Sequence, residues 1–246
     1  MTSKRLDQVL VELGHFETRA RARDAVLRGT VYLDGAPAKK ASQKVLDPKQ
    51  ISVRDPAARY VSRAALKLIA GLDHFAVDPK DRICLDIGAS TGGFTQVLLE
   101  RGAQRVHAID VGHDQLHSTL RRHPKVSVRE KLNARDLTSA DLEGDAPSVI
   151  VSDVSFISLK LALPPALDLA APGSEAVLLV KPQFEAGRDK IGKGGLVDPA
   201  VAEEVAETLR TWLETLPGWN TAPLIASPVL GGDGNKEWLL YGKKTL

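Results

Sequence analysis

Four ionisable residues, far apart in the chain, lie beside helix-like or apolar runs, at least two of them at strand ends where a parallel sheet exposes its crevice. Lys67 follows SRAAL on a helix-like stretch, Asp153 ends the run PSVIVS, Lys181 ends AVLLV, and Glu237 opens the last strand-like run after GGDGNK. Taken singly, each reads as a surface or capping residue. Taken together at the ends of strands, two lysines and two carboxylates form an acid-base set, because a neutral lysine accepts a proton and a carboxylate fixes position and charge. A second feature lies between them. Residues 85–95, LDIGASTGGFT, make a small-residue turn directly after an apolar run, and Asp110 closes the next one, HAID. Gly88, Gly92 and Gly93 remove side chains where backbone and an adenosine-containing ligand come close, while Phe94 and Val97 pack the helix that follows. Asp110 stands where a carboxylate accepts hydrogen bonds from ribose hydroxyls, with helix capping as the alternative. Neither GxGxxG nor GKS/GKT is present, so pyrophosphate binding loses ground.

Alternating strand-like and helix-like segments must position these groups. Apolar runs at 82–86, 105–110, 148–152 and 176–180 alternate with helical stretches at about 93–101, 113–122, 159–170 and 199–216; further strands are expected at 126–130 and 237–243. Ser62 is placed to cap a helix through about Leu72. This rhythm predicts an α/β fold around a mainly parallel sheet, whose ligand crevice lies beyond the carboxyl ends of the strands. Val201, Val205, Leu209 and Leu213 give the last helix a buried stripe, with Trp212 and Trp219 in core or helix-end packing.

The front of the chain differs in charge and rhythm. Residues 1–60 carry 12 Lys and Arg against 7 Asp and Glu, while the rest carries 21 against 24. Leu6, Val9, Leu10 and Leu13 recur at helical spacing, Gly14 stops them, and Thr18 caps a second helix through Arg28. Val31 to Leu33 then lead into Asp34-Gly35, a hairpin signal. Lys4, Arg5, Arg19, Arg21, Arg23, Arg28, Lys39 and Lys40, followed by Lys44, make this small α+β module a phosphate-facing surface or a plain solvated one. A connector is expected near 54–60, dividing the chain into domains 1–60 and 61–246.

Composition removes several classes. No window has the eighteen or so continuous apolar residues needed to span a bilayer, and MTSKRLDQVL lacks a signal-peptide pattern. Cys84 is the sole cysteine of 246 residues, so an intrachain disulfide is excluded; its strand setting makes it a core thiol and a reducing, cytoplasmic compartment the expected one. His113, His117 and His123 lack a Cys pair or an HExxH context, so no metal is expected.

The chain resembles the TlyA family of ribosomal RNA 2'-O-methyltransferases, long labelled haemolysins. The resemblance is carried in family order by RLDQVLVELG, DAVLRGTVYLDG, YVSRAALKL, LDIGASTGGFT, AIDVGHDQL, LNARDL, VSDVSFISL, LVKPQFE, GKGGLVD and LGGDGNKEW. It implies an RNA-binding module of the ribosomal-protein-S-four type before a class I, Rossmann-like methyltransferase sheet. It also implies S-adenosyl-L-methionine as cofactor and ribosomal RNA or ribosomal subunits as partner, with cytidine the expected target and neither membrane nor metal partner. By the same resemblance Lys67, Asp153, Lys181 and Glu237 form the catalytic tetrad. Asp86, Gly88, Ala89, Ser90, Thr91 and Gly92 shape the methionine end of the cofactor, Asp110 holds its ribose and Asp136 its adenine, with Asn133 supporting that loop. Ala64 and Ala65 stand where relatives commonly have two glycines.

A ribose hydroxyl is a poor nucleophile while protonated, so the enzyme must align it and remove its proton. Lys181 is the candidate base, with Lys67 nearby to disfavour its charged form, Asp153 to hold it, and Glu237 to orient Lys67 or the ribose. Enzymes that methylate a ring amino group typically use Asn/Asp-Pro-Pro-Tyr/Phe; the chain has Asp153-Val154-Ser155-Phe156, which favours the ribose hydroxyl, with Phe156 free to stack a base or to pack. The alternatives are a non-enzymatic RNA-binding protein, which needs no acid-base set, and a membrane-active haemolysin, for which residues 18–28 are too short and weakly apolar.

Overall fold

The computed structural model describes residues 3–245; Met1, Thr2 and Leu246, included in the expected domain spans, lie outside them. The chain separates into two compact units, Met1–Arg59 and Tyr60–Leu246. The first contains β1 (Lys4–Arg5), α1 (Leu6–Glu12), α2 (Arg19–Leu27), β2 (Val31–Leu33), β3 (Ala36–Pro37), β4 (Lys44–Val45) and β5 (Ile51–Val53). β1 pairs with β4, and β3-β2-β5 form a second antiparallel sheet. Thr18 caps α2 by accepting from the Arg21 amide, and Asp34 and Gly35 both take positive φ, which the β2–β3 turn requires. Leu6, Leu10, Ala22, Ala25 and Val31 are fully buried in the core beneath.

The second unit begins with α3 (Ala65–His74) and continues through β6 (Ile83–Ile87), α4 (Gly93–Glu100), β7 (Arg105–Ile109), α5 (Ser118–Arg121), β8 (Val126–Arg129), β9 (Val149–Ser152), α6 (Leu159–Ala162), α7 (Pro164–Asp168), β10 (Glu175–Val180), α8 (Pro199–Glu214), β11 (Trp219–Thr221), β12 (Ile225–Ala226) and β13 (Trp238–Lys244). The sheet order is β11-β13-β10-β9-β6-β7-β8, with β12 also on β13. β8, β7, β6, β9 and β10 are parallel, and β13 enters antiparallel to β10. Strand order therefore reverses between β6 and β9, the point at which an open α/β sheet leaves a crevice. Two apolar layers cover the sheet: Leu85, Ile87, Ile150, Leu178 and Leu240 face one, Cys84, Val149, Val151, Val177 and Leu239 the other. This is the expected α/β methyltransferase-type sheet preceded by a small α+β module.

Several expected elements are corrected. The helix expected over 113–122 shrinks to α5, because Glu130 accepts the amides of Asp114, Gln115 and Leu116 and holds them in a loop, with Asp114 at φ 52°. The stretch 159–170 is two helices, since Pro164 and Pro165 cannot donate to the preceding turn and restart the helix as α7. α3 starts after Ser62: the hydroxyl accepts from the Ala64 amide, and three i→i+3 bonds lead into the helix. The most buried face of α8 is Ala202, Ala206, Leu209 and Leu213, so the small alanines approach the sheet where Val201 and Val205 were expected. Trp219 lies in β11, an edge strand too short to show in the pattern.

Candidate active site

The turn after β6 is held from three sides. Gly88 and Ala89 donate their amides to Ile109 O at the end of β7, at 2.9 and 3.1 Å, and Asp153 donates its amide to Ile87 O at 3.0 Å. Gly88 has φ +82°, and a Cβ there would stand 3.1 Å from the Asp153 carbonyl and Val154 Cα. Gly92, at φ +99°, faces the Leu116 and Leu120 side chains. These two glycines are thus demanded by protein packing, not only by ligand approach. Ser90 and Thr91 are exposed at the crest, and Ala89 is buried beneath them.

Asp110, just past β7, accepts from the Ser90 amide at 2.8 Å and from the Gly112 amide at 2.7 Å. It braces the turn, and its partly exposed carboxylate retains lone pairs for a hydroxyl. Asp86 is fully buried; one oxygen accepts from Thr95 Oγ1 at 2.7 Å and the other has no partner. Burial pushes its carboxyl up to about 7, and the nearby Asp153 and Asp110 charges add to the rise. A cation above this turn would relieve that cost, so the residues fit a ligand that is positively charged near Asp86 and carries a ribose near Asp110. Asp136 is exposed in a 3₁₀ turn, Ala134–Asp136, whose start Asn133 caps through the Arg135 amide.

The four ionisable residues form two ion pairs. Lys67, buried on α3, donates to Glu237 Oε2 at 2.5 Å, at the start of β13. Lys181, just past β10, lies 2.6 Å from Asp153 Oδ1, past β9, and donates to Ser155 Oγ at 2.7 Å. Burial raises the Glu237 carboxyl, against the pull of Lys67 and then Lys181, and Asp153 adds to the rise. All four charges therefore act within one field. Ala64 takes ordinary helical angles, φ −55° and ψ −28°, and Lys67 is buried. Because Glu237 offsets the charge of Lys67, that lysine is not a bare cation facing Lys181, as the sequence argument required.

Lys67, Lys181 and Glu237 line a cleft of about 420 Å³ together with Ser155, Phe156 and Gln183. Phe156 is 89% exposed, has φ 65° and lies 4.9 Å from the Phe184 ring between centroids. Ser155, Phe184 and Gln183 were not singled out from the sequence, although each stands within three residues of Asp153 or Lys181.

The expected RNA-facing residues of the first unit divide into two groups. Arg5 and Arg19 both grip the buried Asp7, Arg21 pairs with Glu17, and Lys4 with Glu12. All of Arg28's guanidinium nitrogens are engaged, by Asp24 and by both oxygens of Asp55. Arg23, Lys39, Lys40 and Lys44 are exposed. His113, Asp114 and Glu130 lie close enough to share an ion, but Arg121 already sits 2.6 Å from Glu130 and 3.7 Å from Asp114, supplying the positive charge. Among the described residues no helix is long and apolar enough to cross a membrane.

Residues 60–244 match the FtsJ-like methyltransferase family and residues 4–50 the S4 domain. The 16S/23S rRNA (cytidine-2'-O)-methyltransferase TlyA of Mycobacterium tuberculosis is 43% identical over 96% of this chain and 88% of its own length. Hemolysin A of Brachyspira hyodysenteriae is 38% identical over 96% of this chain and 98% of its own. A solved structure from Streptococcus thermophilus, described as a hemolysin, superimposes with a TM-score of 0.77 and 40% identity, covering 100% of this chain and 90% of that one. With the β6 turn, the reversed strand order and the two lysine-carboxylate pairs in place, the chain belongs to the FtsJ-like methyltransferase family, in the TlyA type that carries an S4 domain ahead of the catalytic one.

Proposed function

We propose that this S-adenosylmethionine-dependent RNA methyltransferase modifies the 2'-hydroxyl of a cytidine ribose in ribosomal RNA, in the cytoplasm. The observation that carries the reading is the pairing of Lys67 with Glu237 and of Lys181 with Asp153 in one field beside the Gly88 turn. Bound S-adenosylmethionine supplies a methyl group already activated on a sulfonium. The acceptor then needs alignment and removal of one proton. Gly88, Ser90 and Thr91 with Asp86 below them would hold the methionine end, Asp110 the ribose and Asp136 the adenine. Lys181, in its neutral amine form, would take the hydroxyl proton and become the ammonium that Asp153 balances, with Ser155 fixing its nitrogen. Lys67, oriented by Glu237, would hold the acceptor oxygen. Arg23, Lys39 and Lys40 of the S4 domain, with Arg5 and Arg19 beside Asp7 and Arg21 beside Glu17, would grip phosphates, whereas Arg28 serves the fold. Cytidine as the target is supported by the naming of the Mycobacterium tuberculosis relative.

Calorimetry with S-adenosylmethionine, followed by labelled-methyl transfer to unmodified ribosomal RNA and mapping of 2'-O-methyl marks with and without the gene, tests the reading. Transfer to a base nitrogen, or no transfer, overturns it.

A further inference from the structure

One strongly charged segment of the catalytic domain has no part in the mechanism above. Between β10 and α8 the chain runs through residues 187–197, where two short 3₁₀ turns, Arg188–Lys190 and Lys193–Gly195, carry Arg188, Lys190 and Lys193. All three are exposed, and among the described residues none of their side chains meets a carboxylate. Residues 188–193 include only Asp189 against these three cations, leaving a surplus of two positive charges.

The segment is attached to the acceptor side of the site. Ile191 and Gly195 line the same cleft as Lys67, Lys181 and Glu237. Asn235, 3% exposed, pins it there: its Nδ2 donates to Gly195 O at 2.8 Å and its Oδ1 accepts from the Val197 amide at 2.9 Å. Asn235 stands two residues before Glu237, so the charged segment and a catalytic carboxylate hang from the same stretch of chain. The cleft itself has no positive surplus, since Lys67 is matched by Glu237 and Lys181 by Asp153. A nucleotide entering with its 2'-hydroxyl toward Lys181 brings a phosphate on each side of its ribose, and those anions need a counter-charge at the rim.

We propose that residues 188–193 are the RNA-backbone grip of the catalytic domain, with Arg188, Lys190 and Lys193 binding phosphates that flank the target nucleotide and Asn235 holding the segment against the cleft. This rests on the chain acting on RNA. Arginine offers a bidentate fork to a phosphate and lysine a point charge, so the segment would fix register without reading sequence.

The test is the full-length triple variant Arg188→Ala, Lys190→Ala, Lys193→Ala, assayed with ribosomal RNA transcripts and ribosomal subunits lacking the mark. KM for RNA should rise about tenfold or more at about 0.1 M salt, and the slope of log affinity against log salt should fall by about two, as expected for three lost contacts to single-stranded phosphates. At saturating RNA the turnover, the S-adenosylmethionine affinity and the thermal melt should match wild type, and Lys190→Arg with Lys193→Arg should retain wild-type KM. An active wild type whose triple variant keeps its KM and salt slope overturns the grip and leaves the methyltransferase reading standing. Loss of turnover with an unchanged salt slope also overturns it, since the segment would then only shape the cleft. A wild type that transfers no methyl group to ribosomal RNA overturns both.

Discussion

Lys67 and Glu237, 170 residues apart, meet at 2.5 Å with both side chains almost fully withdrawn from solvent. An ion pair taken out of water contributes little net stability, but removing one partner leaves the other charged and unpaired. Lys67→Met and Glu237→Leu should each cost about 3–5 kcal/mol in urea denaturation of the catalytic domain. The double variant should recover most of that loss while transferring no methyl group. Additive losses in the double variant would show that the two residues do not act as a pair.

Lys181 is tied to Asp153 and Ser155. Lys181→Ala should lower turnover about 10²–10⁴-fold with cofactor affinity preserved in calorimetry. Lys181→Arg separates a base from a positioning cation, because arginine keeps the pair with Asp153 but does not release its proton. Turnover near wild type in the arginine variant would remove Lys181 from the base role.

Asp86 is a carboxylic acid held in an apolar setting, its carboxyl raised by burial from 3.8 to about 7. The folded chain keeps a proton that the unfolded chain has already released, so stability falls as pH rises from 3.8 to about 7 and the full cost is present above that. Asp86→Asn should therefore melt higher than wild type at pH ~8, by an amount on the order of a few kcal/mol, with little difference near pH ~4. Equal melting differences at the two pH values would contradict a protonated Asp86.

Asp7 and Asp55 behave in the opposite sense. Hydrogen bonds from Arg5 and then Arg19 hold the Asp7 carboxyl below the usual range, and Arg28 with the Ala57 amide outweighs burial to do the same at Asp55. Their stabilisation is present above the unfolded carboxylate value and is lost as pH falls through the lowered one. Hydrogen exchange of the S4 domain should show wild-type protection falling away in acid, whereas Asp7→Asn should be less protected already at neutral pH. Arg28→Ala should show the same neutral-pH deficit, while Arg23→Ala should leave protection intact and weaken RNA binding alone.

Cys84 is fully buried in β6, and burial pushes its thiol up to about 12. A thiol-specific reagent should label the native protein only at the rate of unfolding. Fast labelling of the folded chain would show that this strand opens.

The alternation of strand and helix, the small-residue turn and the charge difference between front and body were all legible in the chain, because hydrophobic period and backbone freedom are local properties. So were Thr18 as a cap and Asp34-Gly35 as a turn. Lys67, Asp153, Lys181 and Glu237 stood out as ionisable residues beside apolar runs, and Asp153 and Lys181 converge because both follow the carboxyl ends of parallel strands. Asp153 holding Lys181 was expected and Glu237 orienting Lys67 was one of two options; what local pattern could not carry was how close these pairs stand and what that does to their charges. Lys67 belongs to Glu237 and Lys181 to Asp153, and this cancels charges that the sequence argument had set against each other. Glu130 drew three amides out of an expected helix, and Arg28, one cation among several in the sequence, is held entirely by Asp24 and Asp55. The sequence by itself determined the kind of fold and the residue types of the site. The tertiary structure alone decided their distances and burial, because hydrogen bonds and packing between distant residues depend on strand order, and strand order is not a local property.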